Sequence, residues 1–225
     1  NKNIDWYIME IFIGLTVPLL GTVIGAATVL MLRNNISDLT NRAMLGFASG
    51  VMVAASFWSL LQPAFEQAGS GFANAWPVLV GFIAGICFLL FLDTIIPHQH
   101  VEDARPEGPK SRLPRSIKMI LAVALHNIPE GMAVSVPLIS GGMAKWKAVL
   151  ITAASGIPTI VGALLGFWLG DIGALGLALS LGFASGAMLY VVFGEILPQS
   201  ILMYHSKLPA FSTIVGMLLG MLIVF

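Results

Sequence analysis

An all-α polytopic membrane protein, a helical bundle with an internal repeat, is the fold class this sequence predicts, on three observations. Of its 225 residues, 57% are hydrophobic and only 10% charged, with a mean hydropathy of +0.92. Apolar stretches of about 20 residues, the length a helix needs to cross a bilayer, recur from end to end. One hexapeptide occurs twice. A soluble globule of this size clothes its surface with roughly a quarter charged residues, so soluble enzymes, nucleic-acid binders and disordered linkers are excluded. The 11 basic and 11 acidic residues cancel, and no global field draws a charged partner toward the chain.

Seven spans are read in order along the chain. Trp6–Leu32 is longer than the apolar core of a signal peptide and is read as a spanning helix. Ala43–Phe65 carries the first copy of the hexapeptide, and Trp76–Pro97 holds the lone Cys87, which has no disulfide partner and suits apolar packing. Ile117–Ile139 contains a histidine, a proline and a glutamate at its centre. Trp146–Leu169, Ile172–Pro198 and Leu208–Phe225 complete the set. The runs are continuously apolar and not alternating, which argues against a β-barrel. Residues 1–225 are read as a single transmembrane domain, with 98–116 a basic cytoplasmic loop.

Glycine pairs four residues apart (Gly21/Gly25, Gly46/Gly50, Gly81/Gly85, Gly162/Gly166/Gly170, Gly182/Gly186, Gly216/Gly220) predict closely packed helices and say nothing about chemistry. The repeat is more informative. Leu45-Gly46-Phe47-Ala48-Ser49-Gly50, with Met52 and Phe57, returns as Leu181-Gly182-Phe183-Ala184-Ser185-Gly186, with Met188 and Phe193, at a constant offset of 136. Internal repeats in polytopic proteins are a mark of transporters. Two convergent small-residue packing faces are the structural alternative.

Basic residues orient the spans, because cytoplasmic loops are rich in Lys and Arg. Arg33 and Arg42, then Arg105, Lys110, Arg112, Arg115 and Lys118, place the loops after the first and third spans in the cytoplasm and the N-terminus outside. With seven crossings Lys145, Lys147 and Lys207 then fall outside. One more helix between the fourth and fifth spans would bring every basic loop to the cytoplasm and set the two hexapeptides in opposite orientations. The pattern is that of an eight-helix plan lacking one helix.

Ionisable side chains within spans are costly and mark function by default. In the fourth span, His126 and Glu130 stand four residues apart on one helix face. Pro129 lacks an N–H, which releases the Leu125 carbonyl one turn earlier, and the Asn127 side chain adds a second neutral oxygen. An imidazole, a carboxylate and neutral oxygens near the midplane suit zinc or iron(II). A hydrogen-bonded His–Glu pair at a proline kink is the structural alternative. Elsewhere in the spans, Asp93 and Glu195 sit toward the cytoplasmic ends of their helices and could receive an ion on its way out. Simple interfacial carboxylates would look the same.

The segment His126-Asn127-Ile128-Pro129-Glu130-Gly131, the two hexapeptide stretches with Met52 and Met188, Asp93 to Pro97 followed by His98 and His100, and Glu195-Ile196-Leu197-Pro198 together resemble the ZIP (Zrt/Irt-like) family of divalent-metal transporters. That resemblance covers most of the chain and implies a 3+2+3 inverted bundle. It further implies metal coordination by His126, Asn127 and Glu130, with Met52 a thioether ligand from the second span. The cargo it implies is Zn2+, or Fe2+, Mn2+ or Cd2+, with no prosthetic group and no enzymatic activity. The family's second P-E-G motif is absent. The residues up to Pro129 look like the first motif helix, and Met132 to Leu138 look like the stretch just after the second motif. Expected partners are the divalent ion and the lipid bilayer, with homodimerisation open, nucleic acid excluded and the cell membrane the expected location. Two other functions stay on the table: a transport-impaired relative or structural metal-binding subunit, and an intramembrane metallohydrolase, which the absence of an H-E-x-x-H spacing disfavours.

Overall fold

Burial in this chain is inverted relative to a soluble protein, with small residues inside and large apolar ones outside. A computed structural model describes residues 2–31, 37–95, 127, 130–136, 138–139, 141–201 and 206–224, with the side chains of 2–8, 10, 93–95 and 224 left aside. Ala26, Ala48, Ala54, Ala64, Ala178, Ser49, Ser56 and Ser185 are buried, whereas Phe12, Leu20, Ile83, Phe91, Leu164, Trp168, Phe211 and Leu222 are exposed. Lipid tails are as apolar as leucine, so helices gain by close backbone approach rather than by hiding large side chains.

All regular structure among the described residues is helical. The elements are α1 (Lys2–Met31), α2 (Asp38–Ala54), a π-helical turn (Ala55–Leu61), α3 (Gln62–Ala68), a short 3₁₀ turn (Phe72–Asn74), α4 (Trp76–Ile95), α5 (130–136), α6 (Lys145–Ser155), α7 (Ile157–Asp171), α8 (Ala174–Val191), a second π-helical turn (Val192–Ile196), α9 (Leu197–Ile201) and α10 (Leu208–Val224). Ser37 caps α2 by accepting from the Thr40 amide at 3.1 Å. Four apolar stretches are long enough to cross a membrane: Ile11–Met31, Asp38–Ala68, Lys145–Asp171 and Ala174–Ile201. Shorter ones run over Trp76–Leu92 and Leu208–Ile223.

Glycine contacts fix which helices pair and in which direction. A Cβ on Gly46 or Gly50 of α2 would meet the Pro209 or Thr213 carbonyl of α10, and one on Gly182 or Gly186 of α8 would meet the Val78 or Phe82 carbonyl of α4. Both contact series rise together in number, so α2 runs parallel to α10 and α8 parallel to α4. Equivalent phenylalanines close the two interfaces, since Gly216 lies against the Phe47 carbonyl and Gly85 against that of Phe183. The two hexapeptides thus build the same interface twice.

The copies run in opposite directions. Ser185 Oγ donates to the Ser56 carbonyl at 3.1 Å, while Arg42 of α2 donates to the Gln199 carbonyl at 2.7 Å and Ser200 Oγ to the Arg42 carbonyl at 2.8 Å. This antiparallel α2–α8 layer encloses Met52, Ala55, Val78, Ala178, Leu181, Met188 and Val192. A second cluster joins α1, α5 and α6 through Val29, Val136, Ile139 and Ala148. Within it α5 runs parallel to α1, because Asn127 and Gly131 meet Thr22 while Val136 clusters with Val29. Helix α6 runs antiparallel to α1, because Lys145 Nζ reaches the Leu30 carbonyl at 3.5 Å and Gly156 lies beside Leu19 and Thr22. Gly173, at φ 111°, turns the chain from α7 into α8, and Gly176 packs against the Leu169 carbonyl.

These directions sort the helices into two sets. Helices α1, α4, α5 and α8–α9 point one way, and α2–α3, α6–α7 and α10 the other. Helices α4 and α5, consecutive among the described residues, therefore share a direction, which seven alternating crossings do not allow. The starts of α2, α6 and α10 consequently lie at one face of the bundle, together with Arg42, Lys145, Lys147 and Lys207. The seven-span count had divided those basic residues between two sides.

Candidate metal site

The motif helix is pressed against α1 by its own glycine. A side chain on Gly131 would overlap the Thr22 carbonyl, so the glycine that comes after Pro129-Glu130 lets α5 approach α1 at backbone distance. Ser135 Oγ donates to the Gly131 carbonyl at 2.6 Å, which satisfies a hydroxyl with no exposure to solvent. Asn127 is buried and Glu130, at the start of this helix, half-buried. The Asn127 carboxamide lies 3.2 Å from the Thr22 hydroxyl of α1. His126 lies outside the described residues, as do His98 and His100.

Met52 and Glu195 occupy the other layer. Met52 is 1% exposed, in the cluster that also holds its repeat partner Met188. Glu195 is 9% exposed and sits in the π-helical turn that continues α8. The backbone of Asp93 lies near the C-terminal end of α4, and its side chain is outside the described residues. Among the described residues no three His, Cys, Asp or Glu side chains gather closely enough to hold a metal. Asn127 thus lies against α1, on which α5 with Glu130 also packs, while Met52 and Glu195 belong to the α2–α8 layer.

The two π-helical turns are related by the repeat. Pro63 and Pro198 cannot donate to the carbonyls of Ser59 and Gly194, and their rings crowd those carbonyls. The helix widens instead: the Gln62 amide bonds the Phe57 carbonyl and the Leu197 amide bonds the Val192 carbonyl, each five residues back. Such wide turns are rare and often lie at functional sites. Ser59 stands at the position equivalent to Glu195, is 9% exposed, and its hydroxyl has no hydrogen-bond partner among the described residues. Sequence reasoning passed over both Ser59 and Thr22, since hydroxyls in apolar spans usually bond their own helix. Only the 136-residue offset pointed to the first, and nothing local pointed to the second.

The ZIP Zinc transporter family model matches residues 108–225. Zinc transporter ZIPB of Bordetella bronchiseptica is 33% identical over 214 residues, covering 80% of this chain and 69% of that protein. The chain belongs to the ZIP family. Zinc transporter ZupT of Corynebacterium glutamicum is 28% identical over 220 residues, 77% of this chain and 82% of the relative. Human Zinc transporter ZIP11 is 25% identical, over 79% of this chain and 85% of its own length. The helical bundle with its inverted repeat is thus a ZIP bundle, a membrane transporter and not an enzyme.

Proposed function

We propose that this ZIP chain carries a divalent transition-metal cation across the cell membrane toward the cytoplasm, with zinc the first candidate and iron(II), manganese and cadmium as alternatives. The observation that carries the proposal is the sequence His126-Asn127-Ile128-Pro129-Glu130-Gly131, in a chain whose relatives are named zinc transporters. His126, Asn127 and Glu130 supply the midplane ligands, and Met52 adds a thioether. The ion exchanges water for these groups and leaves past Glu195 and Asp93 toward the 98–116 loop. A mixed nitrogen and oxygen donor set accepts zinc without demanding one geometry.

A transport-impaired relative is the second reading, and one observation favours it. Only one P-E-G motif is present in the sequence, where the family's plan has two. Zinc uptake into proteoliposomes tests both readings. Saturable uptake that falls at least about tenfold in His126→Ala and Glu130→Ala is the expected result. Undiminished uptake in both variants overturns the assigned site, and zinc binding without uptake selects the second reading.

A further inference from the structure

Asn41, near the start of α2, is a buried amide whose oxygen is unused. It is 4% exposed, and its Oδ1 has no hydrogen-bond partner among the described residues. An acceptor left unpaired in the interior destabilises a fold, so its presence asks for a compensating role. Packing does not supply one. Helices α2 and α8 begin at equivalent residues, Asp38 and Ala174, so the offset of 136 holds here and the counterpart of Asn41 is Leu177, which packs against the apolar cluster of the layer. The same interface thus accepts a leucine of similar size in its other copy.

Asn41 stands eleven residues before Met52, about three helical turns, and so occupies the face of α2 that carries Met52, about 16 Å nearer the basic end of the layer. The contacts Ser56–Ser185 and Arg42–Gln199 set the antiparallel register of α2 against α8–α9. By that register Glu195 falls level with Gly46, between Met52 and Asn41. Buried polar groups gather at this end: Asn41, Glu195 and Ser200 are each 9% exposed or less. At the opposite end their counterparts are Leu177, Ser59 and Ala64.

We propose that Asn41 is the last buried group to take the cation, its amide oxygen receiving the ion after Glu195 and before release at the basic face. This rests on the release path past Glu195 proposed above. A neutral oxygen suits the step, since an ion must bind well enough to enter a site and weakly enough to leave it. Arg42, the next residue, bonds Asp38 at 2.9 Å and the Gln199 carbonyl at 2.7 Å, and its positive charge further loosens the hold on a dication there.

Zinc uptake into proteoliposomes, equilibrium zinc binding and thermal melting of the full chain, measured on Asn41→Leu, Asn41→Asp and Glu195→Gln, test the assignment. Asn41→Leu should melt above the parent, because it removes the unpaired oxygen, and should bind zinc as the parent does, because the midplane ligands are untouched. Its maximal uptake rate should fall about tenfold, the factor that one polar contact to a charged group carries. Asn41→Asp restores an oxygen and should transport faster than Asn41→Leu. Parent-like uptake by Asn41→Leu, with Glu195→Gln impaired, overturns the role of Asn41 and leaves the release path standing. Equal losses in the Leu and Asp variants also overturn it, since the oxygen would not be what matters. So does a lower melting temperature with lost uptake in Asn41→Leu, since the amide would then hold the fold. Parent-like uptake by Glu195→Gln removes the release path and the Asn41 proposal with it.

Discussion

A glycine in a membrane helix either admits a neighbouring backbone or admits nothing, and this chain has both kinds at the same spacing. Gly50 faces the Thr213 carbonyl and Gly186 the Phe82 carbonyl at backbone contact, whereas Gly166 has open space around it. An alanine at Gly50 must push α10 away from α2, which costs about 1–3 kcal/mol as overpacking does elsewhere. An alanine at Gly166 only stiffens the helix and gains about 0.5–1 kcal/mol. Thermal melting in detergent should therefore rank Gly166→Ala above the parent and Gly50→Ala below it. A Gly50→Ala variant as stable as the parent would mean that α2 and α10 do not touch where Gly50 lies. Four-residue spacing alone did not separate the cases, because spacing sets the face a glycine occupies and not what lies opposite. Four of the pairs read from sequence, at 46/50, 81/85, 182/186 and 216/220, do pack against backbone. The site behaved similarly: the Asn127-to-Gly131 stretch announced itself by composition, while Thr22, on another helix 105 residues away, could not.

At the scale of an element, the repeat was legible and the bulges were not. An offset of 136 shared by Met52 with Met188 and by Phe57 with Phe193 marks two related helices. The prolines after them, however, could have ended the helix, bent it or widened it. Packing selects among these outcomes, and here the antiparallel α2–α8 layer keeps both rods continuous from Asp38 to Ala68 and from Ala174 to Ile201. A π-turn takes in one residue more than an α-turn, so closing it changes the face that neighbouring residues present. Pro198→Ala gives residue 198 an N–H for the Gly194 carbonyl and removes the ring that crowds it. The melting temperature should hold or rise while uptake falls about tenfold or more, because Glu195 in the turn is displaced. Unchanged uptake in a variant of equal or higher stability would show that the second bulge has no part in transport.

The whole molecule is ordered by direction. Every helix pair fixed by contact agrees on two opposed sets, and together they bring Arg42, Lys145, Lys147 and Lys207 to one face, the arrangement that the positive-inside rule favours and that a strict seven-span count forbids. The opposite face collects Gly71, Asp171 and the ends of α3, α7 and α10. Trp146 and Trp168 lie near the two ends of the α6–α7 rod, about 33 Å apart at 1.5 Å per residue. That separation is close to the ~30 Å of hydrocarbon between two interfacial belts. The helix directions gather the basic residues at one face, and the positive-inside rule favours that face in the cytoplasm. Single cysteines in a Cys87→Ser background can read it in intact cells. Cysteines at Ser70 and Ile172 should react with a membrane-impermeant maleimide from outside, and cysteines at Asp38, Lys147 and Lys207 only after permeabilisation. If position 147 or 207 instead reacts together with position 70, the crossings alternate seven times. The shared direction of α4 and α5, and the cytoplasmic release that depends on it, would then both fall.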